Sequence, residues 1–335
     1  MSRNVIRVGL IGAGQVAEPH AAAYEKHPRA QLKAVADPML DRARRLAHEY
    51  DLKVFASYED LLGSGLVDAV SVCVPHNLHL PVALAAASGG VHMLMEKPIA
   101  NTLAEADEMI TAVEEAGVTM MIGFVHRFRT EVLAARQLLD EGVTGRVATV
   151  LDRFCAPGGT HPPAWTWSKE RAGGGVLMYG GIHAIDRLLW LLDTSATRVF
   201  ARQHIYTGFG EGEVEDGLVA MLELANGATA TLFENSPPYG RPGGWATEIF
   251  GPRGALRIQT GESLEVTTTS RRFTLHAHDT GHFDREIADF VDALIASRET
   301  SVPASVGRET LAVALAIYES AATTEPVELA ATAAN

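Results

Sequence analysis

From Asn4 to about Gly123 the chain alternates short, wholly apolar runs with amphipathic stretches, and few folds accept that rhythm. "VIRVGLI", "LKAVAD", "DAVSVCV", "VHMLM" and "VTMMIG" read as strands; "HAAAYEKH", "DRARRLAHEY", "PVALAAASGG" and "LAEADEMITAVEEAG" read as helices between them. Strands without in/out alternation must be covered on both faces, which implies a parallel sheet sandwiched between helices. After a bridging helix near "TEVLAARQLLDEG" the rhythm changes to longer strands: "RVATVLDRF", "ATRVFARQHIY", "DGLVAMLEL", "GATATLFEN", "WATEIFG" and "ALRIQT". Asn226-Gly227 between two of these runs is a hairpin signal, and Pro252, Arg253 and Gly254 mark a similar turn. Two helices, "FDREIADFVDALIAS" and "RETLAVALAIYESA", close the chain. The expected fold class is α/β: a parallel-sheet domain over residues 1–123, then a domain over 124–335 built on a large, mostly antiparallel sheet. The closing helices are free to pack back on the first domain. A length of 335 residues at 47% hydrophobic content suffices for two cores.

The first strand runs into "VGLIGAGQVA", which sets Gly12, Gly14 and Ala17 in the G-x-G-x-x-G/A spacing with Gln15 and Val16 between them. That spacing carries weight only between a strand and a helix, and here it has that context. Gly12 allows the tight turn, Gly14 lets backbone approach a pyrophosphate, and Ala17 permits close helix–strand packing at an anion-favouring helix N-terminus. Asp37 follows about twenty residues on, at the end of the second strand. Its carboxylate suits both hydroxyls of an adenosine ribose and repels a 2′-phosphate, so NAD is the preferred cofactor. Arg42, a turn into the next helix, is either a solvated helix residue or a cofactor contact that softens this preference toward NADP.

"VHMLMEKPIA" places Glu96, Lys97 and Pro98 at the C-terminal end of a buried strand, where open α/β sheets bind ligands. Proline has no N–H and restricts the residue before it, so the backbone at Lys97 is constrained.

The net charge of −13 argues against a nucleic acid or an anionic membrane as partner. The two cysteines, Cys73 and Cys155, lie in apolar strands without metal or redox spacing. With no signal-peptide pattern and no bilayer-length apolar run, the expectation is a reduced, cytoplasmic protein without a metal.

"VLMYGGIHAIDRLLW", read as a regular helix, puts Tyr179, His183 and Asp186 on one face and Ile182, Ile185, Leu188 and Leu189 on the other. A polar line on a helix with a good apolar stripe is either a solvated, hydrogen-bonded face or an active-site wall.

Taken together, "GLIGAGQVA", "AVADP", "SVCVPHNLH", "HMLMEKPIA", "GFVHRFR", "VTGRV", "GGGVLMYGGIHAIDRLLWLL" and the late "DFVDALIAS" and "AVALAIYESA" resemble the glucose–fructose oxidoreductase / inositol dehydrogenase (Gfo/Idh/MocA) family. The resemblance runs from one end of the chain to the other. It implies a Rossmann domain followed by a substrate-binding and oligomerisation domain, acting as an NAD(P)-dependent sugar or inositol-type dehydrogenase. It further implies that Asn77 and His79 line the cofactor, that Glu96 and Lys97 sit near the nicotinamide, and that Lys97 touches the reacting hydroxyl. His183 would be the acid/base residue. Relatives often carry Asp one turn before that histidine, whereas this chain has Tyr179. A phenol that titrates near ~10 cannot relay a proton as a carboxylate does. Unless its titration is strongly perturbed, Tyr179 is a substrate contact; if perturbed, it is a catalytic residue in the proton relay beside Lys97 and His183, while Asp186 orients the imidazole or serves the structure.

The segment "THPPAWTWSKERAGGG" is long enough to be functional, and it holds His161, Trp165, Trp167, Lys169 and Arg171. Indole faces suit the C–H faces of a pyranose or cyclitol, and polar neighbours fix its hydroxyls. Tyr239 and Arg241 belong to a second candidate loop. The leading reading is hydride transfer between a secondary alcohol and a nicotinamide, in a homodimer or homotetramer. The rivals are a redox-neutral, NAD-dependent cleavage of glycosides and a non-catalytic nucleotide sensor.

Overall fold

The computed structural model describes residues 5–155, 163–206, 212–236, 244–277 and 280–330. The chain forms two compact units, one of residues 1–125 with 281–309 and the other of residues 126–280 with 310–335.

In the first unit β1 (Ile6–Ile11), β2 (Ala30–Ala36), β3 (Lys53–Phe55), β4 (Ala69–Val72), β5 (His92–Met95) and β6 (Met120–Ile122) form one parallel sheet in the order β3-β2-β1-β4-β5-β6. That is the doubly wound dinucleotide-binding order. Between the strands run α1 (Ala17–Lys26), α2 (Leu40–Tyr50), α3 (Tyr58–Gly63), α4 (His79–Ser88) and α5 (Leu103–Ala116). All four residues of β4 and the last four of β1 are buried, as a sheet covered on both faces requires. The start of α5 is set by a reciprocal Thr102–Glu105 capping box and its end by Gly117 in the left-handed region.

In the second unit α6 (Thr130–Asp140) precedes β7 (Thr149–Cys155), followed by α7 (Lys169–Ala172), α8 (Ile182–Leu192), β8 (Ala196–His204), β9 (Gly217–Leu224), β10 (Thr229–Asn235), β11 (Gly244–Gly251), β12 (Gly254–Gln259), β13 (Ser263–Thr268) and β14 (Arg272–His276). With β15 (Val327–Glu328) the strands make a nine-stranded sheet, β14-β13-β12-β11-β7-β10-β9-β8-β15. It is antiparallel except between β7 and β10. Both expected turns are present: Asn226-Gly227 joins β9 to β10, and Pro252-Arg253 joins β11 to β12.

Burial in β9 and β10 alternates with period two, so one sheet face is covered. The covered face presents Asp152, Leu232, Glu234, Trp245 and Thr247 among apolar side chains. The other face exposes Leu151, Val219, Met221 and Phe250.

Of the closing helices, α9 (His282–Ala296) belongs to the first unit and packs on α1. The chain passes from the first unit to the second within α10 (Ala304–Thr323). Among the described residues, no helix is long and apolar enough to cross a membrane.

Candidate active site

The glycine-rich turn is built as its spacing predicts. Gly12 has φ of +95°, and a Cβ there would lie 2.4 Å from the Cys73 carbonyl oxygen, so only glycine fits. Gly14 meets nothing nearer than 4.0 Å, which leaves room above its backbone. The N-cap residue of α1, Val16, makes no side-chain cap bond, which suits a helix N-terminus that receives an anion. Gln15 is exposed, Val16 half-buried and Ala17 buried. Asp37 accepts hydrogen bonds from the Ala13 N–H at 2.8 Å and the Met39 N–H at 2.7 Å, which holds its carboxylate against the turn. Arg42 is exposed on α2.

After β4, a short 3-10 turn (His76–Leu78) carries Asn77, whose Oδ1 is buried and accepts no hydrogen bond from the described residues. A buried acceptor without a donor calls for a ligand group. This orphaned amide, the open cradle at Gly14 and the seated Asp37 fit an adenine dinucleotide. His79 departs from its expected role. It has no exposed surface, and its Nδ1 lies 2.9 Å from the Pro98 carbonyl and its Nε2 3.2 Å from that of Val74. The ring braces the loop after β4 to the loop after β5 and has no surface with which to line a cofactor. Burial lowers its pKa below the ordinary imidazole value.

Lys97 follows β5, and its peptide bond to Pro98 is cis. Burial lowers the ammonium pKa, and the neighbouring Glu96 carboxylate offsets only part of that fall. Glu96 is packed against Gly123, where an added Cβ would come within 3.1 Å of its Oε1.

In the second unit the stretch read as one helix is two pieces. Leu177–Gly181 is a π-helical turn in which the Ile182 N–H reaches back five residues to the Leu177 carbonyl; α8 follows. One extra residue turns what precedes it by about 100° relative to a straight helix. Tyr179 is therefore out of line with His183 and Asp186, correcting the single polar face. Glu215 fastens the start of this turn: its carboxylate accepts from the Gly175 and Leu177 N–H groups at 2.8 and 2.9 Å and from the Tyr318 hydroxyl at 2.8 Å. The preceding glycines are required by close packing. A Cβ on Gly174 would lie 2.0 Å from the Tyr318 oxygen, and one on Gly175 1.8 Å from the Glu215 carbonyl.

Tyr179 is 38% exposed, and partial burial pushes its phenol pKa further up, so it stays protonated at neutral pH. Asp186 is fully buried and held by Arg127 through Nε at 3.0 Å and Nη2 at 2.6 Å. His183 is 8% exposed and stacks on His126, with centroids 4.3 Å apart and planes at 11°. Trp245 meets His126 edge-on at 4.7 Å, and its Nε1–H donates to Asp152 at 2.7 Å. Asp152 also accepts from Arg187 Nη2 at 2.7 Å and from the Thr247 hydroxyl at 2.6 Å. A buried polar floor thus supports the two imidazoles.

His126, Trp245, Glu215 and Asp152 were not singled out from the sequence. The segment "GFVHRFR" right after β6 was the available signal for His126; the others come from distant strands and carry no local mark. Trp165 and Trp167 lie half-buried in a 3-10 turn (Ala164–Trp167), and Arg171 is exposed on α7. His161, Tyr239 and Arg241 lie outside the described residues.

The sheet order, the glycine turn and the lysine at a strand end define a dinucleotide-binding oxidoreductase with a second, β-rich domain. Residues 6–124 match the Gfo/Idh/MocA oxidoreductase family with an NAD-binding Rossmann fold, and residues 132–257 match a C-terminal domain of the same family. The chain is 33% identical to D-glucoside 3-dehydrogenase of Escherichia coli (strain K12), over 69% of this chain and 70% of that one. It is 27% identical to myo-inositol 2-dehydrogenase of Thermotoga maritima, over 80% and 79% of the two chains. Among solved structures, levoglucosan dehydrogenase in complex with NADH and levoglucosan superposes with a TM-score of 0.87 at 25% identity, over 97% of this chain and 99% of that one. The chain belongs to the Gfo/Idh/MocA family, and it is an NAD-binding oxidoreductase of the sugar-dehydrogenase type.

Proposed function

We propose that the protein oxidises a secondary alcohol of a sugar or cyclitol, reversibly and with NAD in preference to NADP. The observation that carries this reading is an intact glycine turn with Asp37 seated against it, in the same unit as Lys97 beside Glu96 at the end of β5. The turn from Gly12 to Ala17 holds the pyrophosphate, Asp37 holds the adenosine ribose, and Asn77 Oδ1 accepts from the cofactor. Arg42 is exposed on α2, and Asp37 disfavours a 2′-phosphate. When bound, the nicotinamide takes up or returns the hydride. Lys97 supplies a charged donor to the substrate oxygen and stabilises developing alkoxide charge. His183 takes the hydroxyl proton, its ring oriented by the stack on His126. Tyr179 donates a hydrogen bond to substrate, and Trp165, Trp167 and Arg171 bind the ring and its hydroxyls. The names of the glucoside and inositol relatives support the substrate class.

The test is nicotinamide absorbance with product analysis on a panel of free sugars, inositols and glycosides, each supplied with NAD or NADP. NADH accumulating with a ketone product is expected. Glycoside cleavage without NADH would establish the redox-neutral alternative, and nucleotide binding without turnover of any panel member would favour a sensor.

We also assign the exposed sheet face to a second copy of the chain. Leu151, Thr231, Met221 and Phe200 stand opposite one another across four neighbouring strands, flanked by Val219, Phe233 and Phe250. An apolar band of this kind on an open sheet marks an interaction surface. Sedimentation is expected to show a dimer or tetramer, and Met221→Lys, which places a charge in the band, is expected to shift it toward monomer. A wild-type monomer would overturn the assignment.

A further inference from the structure

Lys97 is served by a buried network that no feature of the dinucleotide turn requires. His20 on α1 has no exposed surface; its Nε2 lies 3.1 Å from Glu96 Oε1, and its Nδ1 lies 3.1 Å from Ser71 Oγ. Ser71 Oγ is in turn 2.8 Å from the Tyr24 hydroxyl, and both residues are fully buried. A carboxylate only accepts, so Nε2 carries a proton and donates it to Glu96. In the neutral ring, Nδ1 then accepts from Ser71, and Ser71 accepts from Tyr24. Phe283 of α9 packs against the imidazole at 5.4 Å and holds the ring in place.

A second carboxyl, fully buried, interacts electrostatically with the half-buried Glu96. Glu286 on α9 has no exposed surface, and neither of its oxygens has a hydrogen-bond partner among the described residues. Two buried acids close enough to repel do not both ionise. Burial and then repulsion from Glu96 push Glu286 well above the ordinary carboxylate range. Burial acts on Glu96 in the same direction, yet the hydrogen bond from His20, together with Lys97, carries it below the ordinary value. The groups facing this cluster are His20 and Tyr24 from α1, Ser71 and Cys73 from the β4 end, His79 from α4, and Glu286 with Asp289 behind it from α9. Among them, the donor aimed at a carboxylate is His20.

We propose that His20 is a positioning residue for the chemistry assigned to Lys97: its Nε2–H keeps the negative charge of the buried pair on Glu96, beside the lysine, and away from Glu286. This rests on the assignment of Lys97 made above. The charge on Glu96 keeps the Lys97 ammonium protonated against its own desolvation, so the lysine can meet a substrate oxygen as a cation. Without the donor, Glu96 takes up a proton from solvent at a higher pH than before while Glu286 stays neutral, and Lys97, no longer beside a carboxylate, loses its proton at a lower pH.

The experiment reads that titration directly on the full chain and needs no substrate, so it stands or falls separately from the dehydrogenase reading. The rate of Lys97 acylation by acetic anhydride is measured against pH, with the Lys97 peptide quantified by mass spectrometry. His20→Phe keeps a ring but has no donor; it is expected to move the Lys97 midpoint down by about one pH unit or more. His20→Gln returns an N–H to the same region and is expected to recover most of the shift. Glu286→Gln replaces a neutral acid by a neutral amide and is expected to leave the midpoint in place. An unchanged midpoint in His20→Phe overturns the proposal. So does a Glu286→Gln shift as large as that of His20→Phe, because the charge would then reside on Glu286. Should His20→Phe not fold, Ser71→Ala removes the far anchor of the ring; a smaller shift in the same direction supports the proposal, and no shift overturns it.

Discussion

Lys97→Met is expected to reduce kcat by roughly a thousandfold while leaving NAD affinity within about threefold of wild type. Methionine keeps an unbranched side chain of similar length and removes the ammonium. The residues assigned to the adenosine half of the cofactor, Gly12 to Ala17 and Asp37, hold their geometry through backbone contacts that do not involve Lys97. Calorimetric titration with NAD reads binding, and steady-state turnover on the substrate found by the panel reads chemistry. Normal turnover would remove Lys97 from the mechanism; lost NAD binding would make it a cofactor ligand instead. Tyr179→Phe is the contrast within the same experiment. Its phenol stays protonated at neutral pH, so deleting the hydroxyl removes one substrate contact and is expected to cost no more than about tenfold. A loss of several orders of magnitude would place Tyr179 in the proton path.

The second large effect is on stability. Asp152→Ala is expected to lower the unfolding free energy by about 3–5 kcal/mol. The Asp152 and Arg187 side chains are both fully buried, and the carboxylate also satisfies the Trp245 Nε1–H and the Thr247 hydroxyl. Removing it strands a guanidinium charge and two donors in the interior. Asp152→Leu combined with Arg187→Met removes both charges and is expected to recover much of the loss, because pairing two buried ions offsets their desolvation only in part. Equilibrium denaturation of the single and double variants checks this; a single variant within about 1 kcal/mol of wild type would contradict it. The consequence reaches the site. The Arg187 guanidinium lies 4.9 Å over the Trp245 ring, Trp245 abuts His126, and His126 stacks on His183. Loosening Trp245 is therefore expected to lower turnover even where the variant remains folded.

How far the site was legible depended on how local its causes are. The glycine turn and Asp37 are readable because their roles follow from chain conformation and a short spacing between adjacent strands. Lys97 is readable because a buried strand ends immediately before it. His79 misled because a histidine opening a helix looks the same in sequence whether its ring faces a ligand or, as here, lies buried beside the Pro98 and Val74 carbonyls. The straight helix expected through Tyr179 failed because Leu177–Gly181 is a π-helical turn, a one-residue irregularity that the apolar periodicity does not mark.

The sequence by itself therefore determined the two-part α/β architecture, the dinucleotide turn and the strand-end lysine, since apolar periodicity, glycine stereochemistry and hairpin signals act over a few residues. Only the tertiary structure decided the proton donors and charge partners: His20 on Glu96, Arg127 on Asp186, Arg187 on Asp152, and the stack of His126 on His183. The physical reason is that a buried polar group must find its partner wherever packing brings one, and packing joins residues whose distance along the chain carries no signal.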